Sequence, residues 1–250
     1  MTDQLPHRVK YLVIGAGVHG LSTSWHLAKS LSSSGQGSGN DILVIDKTGV
    51  AAGASGIACG VVRNFYYQSP MNDIMRASVD VWESDPEALQ YNGVGYIALA
   101  GELQASDLET IYQRQQTNGY KSSLISGEKE VFDYMKTMFP DWKAHGLVRC
   151  LHEKQGGFAW NAPSMHGLAG LAQKEGVKIM DGVEVTSFQK ATDGSITKVD
   201  TSAGIIEVEN VVVAVGPWIK GIWNNLGLPL KIDVAGPEGK IAHDQEMWTY

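Results

Sequence analysis

Residues 11–29, "YLVIGAGVHGLSTSWHLAK", decide how this chain is read. The apolar run at 9–14 has the character of a buried parallel strand and enters a Gly-x-Gly-x-x-Gly turn at Gly15, Gly17 and Gly20. Beyond the turn Leu21, Trp25 and Ala28 fall at i, i+4 and i+7, one face of a helix. Residues 41–46, "DILVID", then supply a second strand ending on Asp46. Strand, glycine turn, helix and strand make one βαβ unit. Gly15 permits the tight bend, Gly17 lets a pyrophosphate approach the backbone, and Gly20 lets the helix lie close to the strand. Backbone N–H groups at the helix start, those of Val18 and His19, face the phosphates. Asp46, 26 residues past Gly20, is placed to accept hydrogen bonds from ribose hydroxyls. The Ser/Gly-rich stretch 31–40, read as a surface loop, accounts for that long spacing. Together these features predict a bound dinucleotide.

Composition narrows the partners. A formal charge of −7 without a Lys/Arg cluster argues against nucleic acid and against an anionic membrane. No apolar run is long enough to span a bilayer, and the polar first ten residues leave no room for a targeting peptide. Cys59 and Cys150 are far apart, with neither metal-ligand spacing nor a disulfide framework. The expectation is a cytoplasmic protein without a metal.

Further along, a helix is expected at 70–82 and a strand at 95–100. Another helix opens at Ser106, with Glu109 completing a capping box and Leu108, Ile111, Tyr112 and Gln115 forming its face. A helix over 128–138 is stopped by Pro140. Asn161 and Pro163 start a helix that Gly176 ends, and a hairpin turns at 202–204. The domains expected are a cofactor domain at 1–84 and 151–228 and a substrate domain at 85–150 and 229–250. The last segment is expected to be only the start of a longer one, leaving the second domain incomplete. The fold class is α/β, a Rossmann-like dinucleotide-binding domain with a second, α+β domain.

Residues 49–62, "GVAAGASGIACGVV", separate a flavin from a nicotinamide dinucleotide. Small residues let the main chain approach a broad ring system. Val50, Ile57, Val61 and Val62 make the stretch too apolar for a solvated linker. FAD is therefore preferred, and an NAD-linked dehydrogenase is the rival.

"VIGAGVHGLSTSWHLAK", "VIDK", "GASGIACGVVRNFYY", "GVEVTSF" and "VVVAVGPW" resemble the FAD-dependent amine and amino-acid oxidoreductases, the family of sarcosine oxidase, dimethylglycine dehydrogenase, glycine oxidase and D-amino-acid oxidase. The resemblance runs from about residue 9 to 235 and implies a glutathione-reductase-type FAD domain. It implies that the Val185 backbone meets the adenine, that Lys47, Ala54 and Ser55 lie along the dinucleotide, and that Gly216 and Trp218 form a turn near it. It also implies Arg63 as anchor for a substrate carboxylate and Tyr66 as an accessory hydrogen-bonder. Arg63 has an independent warrant: an arginine after an apolar, glycine-rich stretch points into poorly hydrated space, where its planar fork needs a bidentate acceptor. A structural ion pair is the alternative for Arg63, and core aromatic character the alternative for Tyr66.

Two departures stand out. Gly60 replaces a basic residue of the sarcosine-oxidase pattern. "GASGIACG" lacks the histidine that attaches flavin covalently in dimethylglycine dehydrogenase, so non-covalent FAD is expected. Cys59 is read as a small buried residue. The family's closing loop and helix find no match here, which leaves a fragment, an oligomer or partner chain that completes the site, or a flavin-binding scaffold that turns nothing over. The activity expected is oxidation of the C–N bond of a small carboxylated, secondary amine or an amino acid by hydride transfer to flavin N5.

Overall fold

A computed structural model describes residues 4–236 and 239–247. The chain opens on β1 (Arg8–Ile14), passes through α1 (Val18–Ser34) and returns as β2 (Ile42–Asp46). A short α2 (Ala54–Ile57) and β3 (Val61–Val62) lead to α3 (Ser69–Ser84), β4 (Tyr91–Asn92) and β5 (Tyr96–Ala100). Then come α4 (Ala105–Thr117), β6 (Ser122–Ser126), α5 (Glu128–Met138), β7 (Arg149–Glu153) and β8 (Gly157–Ala159). After α6 (Asn161–Lys174) run β9 (Lys178–Asp181), β10 (Val185–Lys190), β11 (Ile196–Thr201) and β12 (Gly204–Val213). The helix α7 (Ile219–Asn225) precedes the hairpin β13 (Lys231–Ala235) and β14 (Ile241–Glu246).

The chain divides into two compact units, Met1–Ala58 with Leu168–Tyr250, and Cys59–Gly167. The domain segments expected from sequence break instead after 84, 150 and 228. Of the expected segment 229–250, positions 237–238 and 248–250 lie outside the described residues.

Among the described residues of the first unit, a sheet runs in the order β10-β11-β12-β1-β2-β9. Strands β12, β1, β2 and β9 are parallel, and β10 and β11 extend them antiparallel. Unbroken apolar runs suit parallel strands covered on both faces, and Leu12, Val13 and Ile42 to Ile45 are all buried. Each such side chain contributes about 1.5–3 kcal/mol of transfer free energy. On one face Leu12, Ile14, Leu43, Ile45, Val199 and Ile206 form a common core. The expected helix face of α1 is buried as well, through Leu21, Trp25 and Ala28.

The stretch at 31–40 is not the loop expected. The helix continues to Ser34, because Leu31 is buried and Gly35 closes it in the left-handed region (φ 68°), its neighbour Gln36 donating to the Leu31 carbonyl. Ser38 and Asp41 then form a capping box on a short 3₁₀ turn.

In the second unit, β3-β8-β4 and β5-β7-β6 are antiparallel sheets, accompanied by helices, an α+β arrangement. The capping box expected at Ser106 is absent. A 3₁₀ turn, Glu102–Gln104, runs straight into α4, so Ser106 already lies inside the helix and its carbonyl accepts from the Thr110 hydroxyl. Glu109 pairs with Arg149 instead. The expected face does form, with Leu108, Ile111 and Gln115 buried. Helix α5 has the expected bounds.

Candidate functional site: a glycine-lined cleft and an arginine among aromatic rings

The β1–α1 turn is held by its own backbone. Gly15 N–H donates to the Ile45 carbonyl (2.8 Å) and Ala214 N–H to the Ile14 carbonyl (2.8 Å), so three strand ends meet there. Gly15 has φ 110°, and a Cβ on it would stand 2.4 Å from the Ala214 oxygen. A Cβ on Gly20 would stand 1.9 Å from the Gly15 oxygen. Protein packing alone therefore requires glycine at both positions. Gly17 is different, because a Cβ there meets only the Ser55 hydroxyl, at 3.1 Å. The chain's own packing does not account for this middle glycine, whereas a ligand lying against the backbone does.

Asp46 ties the turn to the strand that carries it. Its Oδ2 accepts from Ala16 N–H (2.9 Å), and Oδ1 accepts from Thr48 N–H (2.8 Å), the Thr48 hydroxyl (3.0 Å) and Gly49 N–H (3.0 Å). Burial pushes the Asp46 carboxyl up, but these donors outweigh it and hold the group below its ordinary value. The structure thus gives Asp46 a turn-fixing task that the sequence reading did not include.

At the start of α1, Ser55 Oγ accepts from Val18 N–H at 3.1 Å. Among the described residues, the N–H groups of Gly17, His19 and Gly20 have no acceptor. Unpartnered donors at a helix N-terminus favour an anion.

A cleft of about 630 Å³ opens beside this turn. It brings together Gly15, Gly17, Val18, His19, Asp46, Lys47, Ala54, Ser55, Val185, Gly216 and Trp218, all expected at the cofactor site. Gly20 is buried and does not line it. The Lys47 ammonium stands 4.8 Å from the centroid of the Trp218 ring, and Gly216 has φ 54°. Sequence reasoning missed Thr48 and Gly221, which also line the cleft together with Gly49 of the small-residue stretch.

The stretch 49–62 departs from its expected character. Ile57 is 86% exposed and Val61 is exposed, leaving Val62 as the buried valine. Its small residues make close turns instead: a Cβ on Gly56 would lie 1.9 Å from the Ala51 oxygen, and one on Gly53 would lie 3.2 Å from the Trp218 ring. Cys59, expected to be buried, is exposed beside Gly60, where a φ of 70° bends the chain.

In the second unit, Arg63 follows β3 and is half-buried. Its Nη1 donates to the Tyr96 hydroxyl at 2.7 Å, and the guanidinium carbon lies 5.2, 5.8 and 6.0 Å from the ring centroids of Tyr96, Phe65 and Tyr66. Among the described residues no carboxylate comes within 4.0 Å of it, so the structural ion pair is not formed there. Burial lowers the Arg63 pKa, but contacts with Tyr96 and Tyr66 outweigh it and raise it, so the group stays charged. Tyr66 is half-buried beside Arg63.

Glu153, also missed from sequence, is fully buried nearby in this unit. It accepts from Asn64 N–H, Gln115 Nε2 and the Tyr120 hydroxyl. Burial raises its pKa, against the lowering effect of these donors and of the Arg63 charge. One signal was available: Glu153 sits two positions past buried Leu151 on β7, where strand alternation calls for an apolar residue.

A parallel sheet whose first strand runs through a glycine turn into a helix, beside a cleft with free N–H donors, defines a dinucleotide-binding protein. The chain belongs to the FAD dependent oxidoreductase family, whose model matches residues 10–242. The family's cofactor is FAD, which sets aside the nicotinamide rival. The chain is 26% identical over 237 residues to sarcosine oxidase subunit beta of Arthrobacter sp, covering 86% of this chain and 56% of that protein. It is 26% identical over 227 residues to mitochondrial dimethylglycine dehydrogenase of Rattus norvegicus, covering 88% of this chain and 25% of that one. The crystal structure of L-proline dehydrogenase from P.horikoshii shares the fold with a TM-score of 0.80 at 22% identity, over 91% of this chain and 58% of that one. The chain therefore spans from a quarter to little more than half of these relatives. Among the described residues, no helix is long and apolar enough to cross a membrane.

Proposed function

We propose that the protein oxidises the C–N bond of a small carboxylated amine, of the kind represented by sarcosine or dimethylglycine. The observation that carries this reading is the Arg63 guanidinium, charged, ringed by Phe65, Tyr66 and Tyr96, and bonded to the Tyr96 hydroxyl rather than to a carboxylate. A half-desolvated arginine with unused N–H donors is a receptor for a planar anion. Arg63 holds the substrate carboxylate through two parallel hydrogen bonds, and Tyr66 offers its hydroxyl as a further partner. The surrounding rings thin the water around the bound amine, which favours its neutral form and leaves the nitrogen lone pair available.

In the cleft, the free N–H groups of Gly17 and His19 hold the pyrophosphate of FAD, and Lys47 adds a positive charge. Val185, Ala54, Ser55, Gly216 and Trp218 supply the remaining walls. When bound, FAD supplies a two-electron oxidant for the carbon beside the amine nitrogen, and the product is an imine that water hydrolyses. The FAD is held without a covalent bond. A cytoplasmic setting accords with two unpaired cysteines. A further chain or a second copy as partner is in keeping with the similarity to an enzyme named as a subunit.

Anaerobic mixing of the flavin-loaded protein with sarcosine, dimethylglycine, other N-methyl amino acids and D-amino acids tests the reading. Loss of oxidised-flavin absorbance with a carboxylated amine supports it. Silence across the panel overturns it in favour of a flavin-binding scaffold without turnover.

A further inference from the structure

Several buried polar side chains of the 59–167 unit converge on the main chain of one residue, Asn64. Strand β3 ends at Val62, paired with Gly157, so the main chain at Arg63 has already left the ladder. The next residue is clamped on both sides. Asn64 N–H donates to Glu153 Oε2 at 2.8 Å, and the Asn64 carbonyl accepts from Gln115 Nε2 at 3.0 Å and from Asn72 Nδ2 at 3.2 Å. Gln115 Nε2 also reaches Glu153 Oε1 at 2.8 Å, which closes a ring of hydrogen bonds through the main chain of Asn64. The Tyr120 hydroxyl, 3.1 Å from Glu153 Oε2 and 2.7 Å from the Gln155 carbonyl, fixes the carboxyl from the far side.

Asn64, Asn72, Gln115 and Glu153 are all buried almost completely. A buried carboxyl is poor value as a stabilising device, since well-fitted apolar residues fill the same space without the desolvation penalty. What such a network provides is a unique geometry. Here the geometry belongs to the residue following Arg63, whose guanidinium is bonded at its far end to Tyr96.

We propose that Glu153 is a positioning residue for Arg63: by holding the Asn64 amide it sets the main-chain direction from which the guanidinium presents its free N–H donors to a substrate carboxylate. This rests on the reading of Arg63 as the carboxylate anchor. Glu153 itself is fully buried and touches no substrate, so its influence on ligands passes through Arg63. That predicts an effect confined to ligands with a carboxylate.

The test is a double-mutant cycle on the flavin-loaded protein, titrated calorimetrically with sarcosine and with dimethylamine, its decarboxylated counterpart. Glu153→Gln is expected to weaken sarcosine binding about tenfold and to leave dimethylamine unmoved. In an Arg63→Met background the same change adds nothing, because coupled residues lose their interaction only once. Equal losses for both amines, or additive losses in the cycle, overturn the inference, since a merely structural role produces either. Should Glu153→Gln fail to fold, Gln115→Met removes the amide shared by Glu153 and the Asn64 carbonyl and carries the same test with the same outcomes. Arg63→Met without effect on sarcosine, or no sarcosine binding by the parent protein, overturns the anchor reading, and the inference with it. A loss with Arg63→Met but none with Glu153→Gln overturns the inference alone.

Discussion

The cleft at the β1–α1 turn and the surroundings of Arg63 are built by opposite means. In the cleft the candidate groups are backbone N–H donors, and side chains matter mainly by being absent, as at Gly15 and Gly17. Around Arg63 the candidate group is a long side chain bonded to Tyr96, and the main chain of the next residue is held by side chains from distant parts of the sequence. A site made of backbone is specified locally and fails by steric collision. A site made of side chains is specified by tertiary structure and fails by losing partners.

The largest effects should sharpen this contrast within the glycine turn itself. Gly20→Ala drives a Cβ to 1.9 Å from the Gly15 oxygen. It should cost about 3 kcal/mol, as overpacking of a rigid backbone contact does, and release FAD. Urea unfolding and flavin retention on gel filtration measure the two effects. Gly17→Ala meets only a serine hydroxyl. It should leave the unfolding midpoint nearly unchanged while weakening FAD about tenfold, or about 1.4 kcal/mol. Equal destabilisation by the two variants would remove the distinction between a glycine required by packing and one required by a ligand.

Arg63→Met comes next. It should raise the dissociation constant of a carboxylated amine about a hundredfold, the loss of a bidentate charged contact of about 3 kcal/mol, with FAD affinity unchanged. A matching loss of FAD would mean that the two sites do not divide their tasks as described.

Acid should act on the cleft through Asp46, whose folded pKa is depressed. The unfolded chain then binds the proton more readily, so the contribution is complete above about pH 3.9 and is lost as pH falls through the folded value. FAD fluorescence followed through that range should show release on acidification. Asp46→Asn should remove that dependence while weakening FAD at neutral pH.

The smallest effect concerns the cysteines. Burial pushes the Cys150 thiol up to about 11, whereas Cys59 is exposed. Alkylation of the native protein followed by peptide mass analysis should modify Cys59 and spare Cys150 until the chain unfolds.

The same contrast explains what the sequence disclosed. The βαβ unit, the glycine turn, Asp46 and the bounds of α5 could be read because each is encoded within a few dozen residues by periodicity and by Gly or Pro punctuation. The continuation of α1 past Leu31 was hidden because three serines suggest a loop, while burial of Leu31 and closure at Gly35 hold the helix. The clamp around Asn64 was hidden for a deeper reason: besides Asn72, its partners Gln115 and Glu153 are 51 and 89 residues away, and only a folded chain reveals which polar residues are buried together. Exposure of Ile57 was missed because an apolar residue in an apolar stretch reads as interior, although close turns can leave it outside.

Strand β12 serves two ladders at once. Glu207 is opposite Lys198 on one side and Arg8 on the other, and the same strand ends at Val213, three residues before Gly216. The outlying β11–β12 hairpin is therefore geared to the cofactor turn. Adding one residue inside the strand, rather than in the tip at 202–203, would invert which faces its later side chains occupy and carry the error into the cleft, so length changes in this remote hairpin are safe only at its apex.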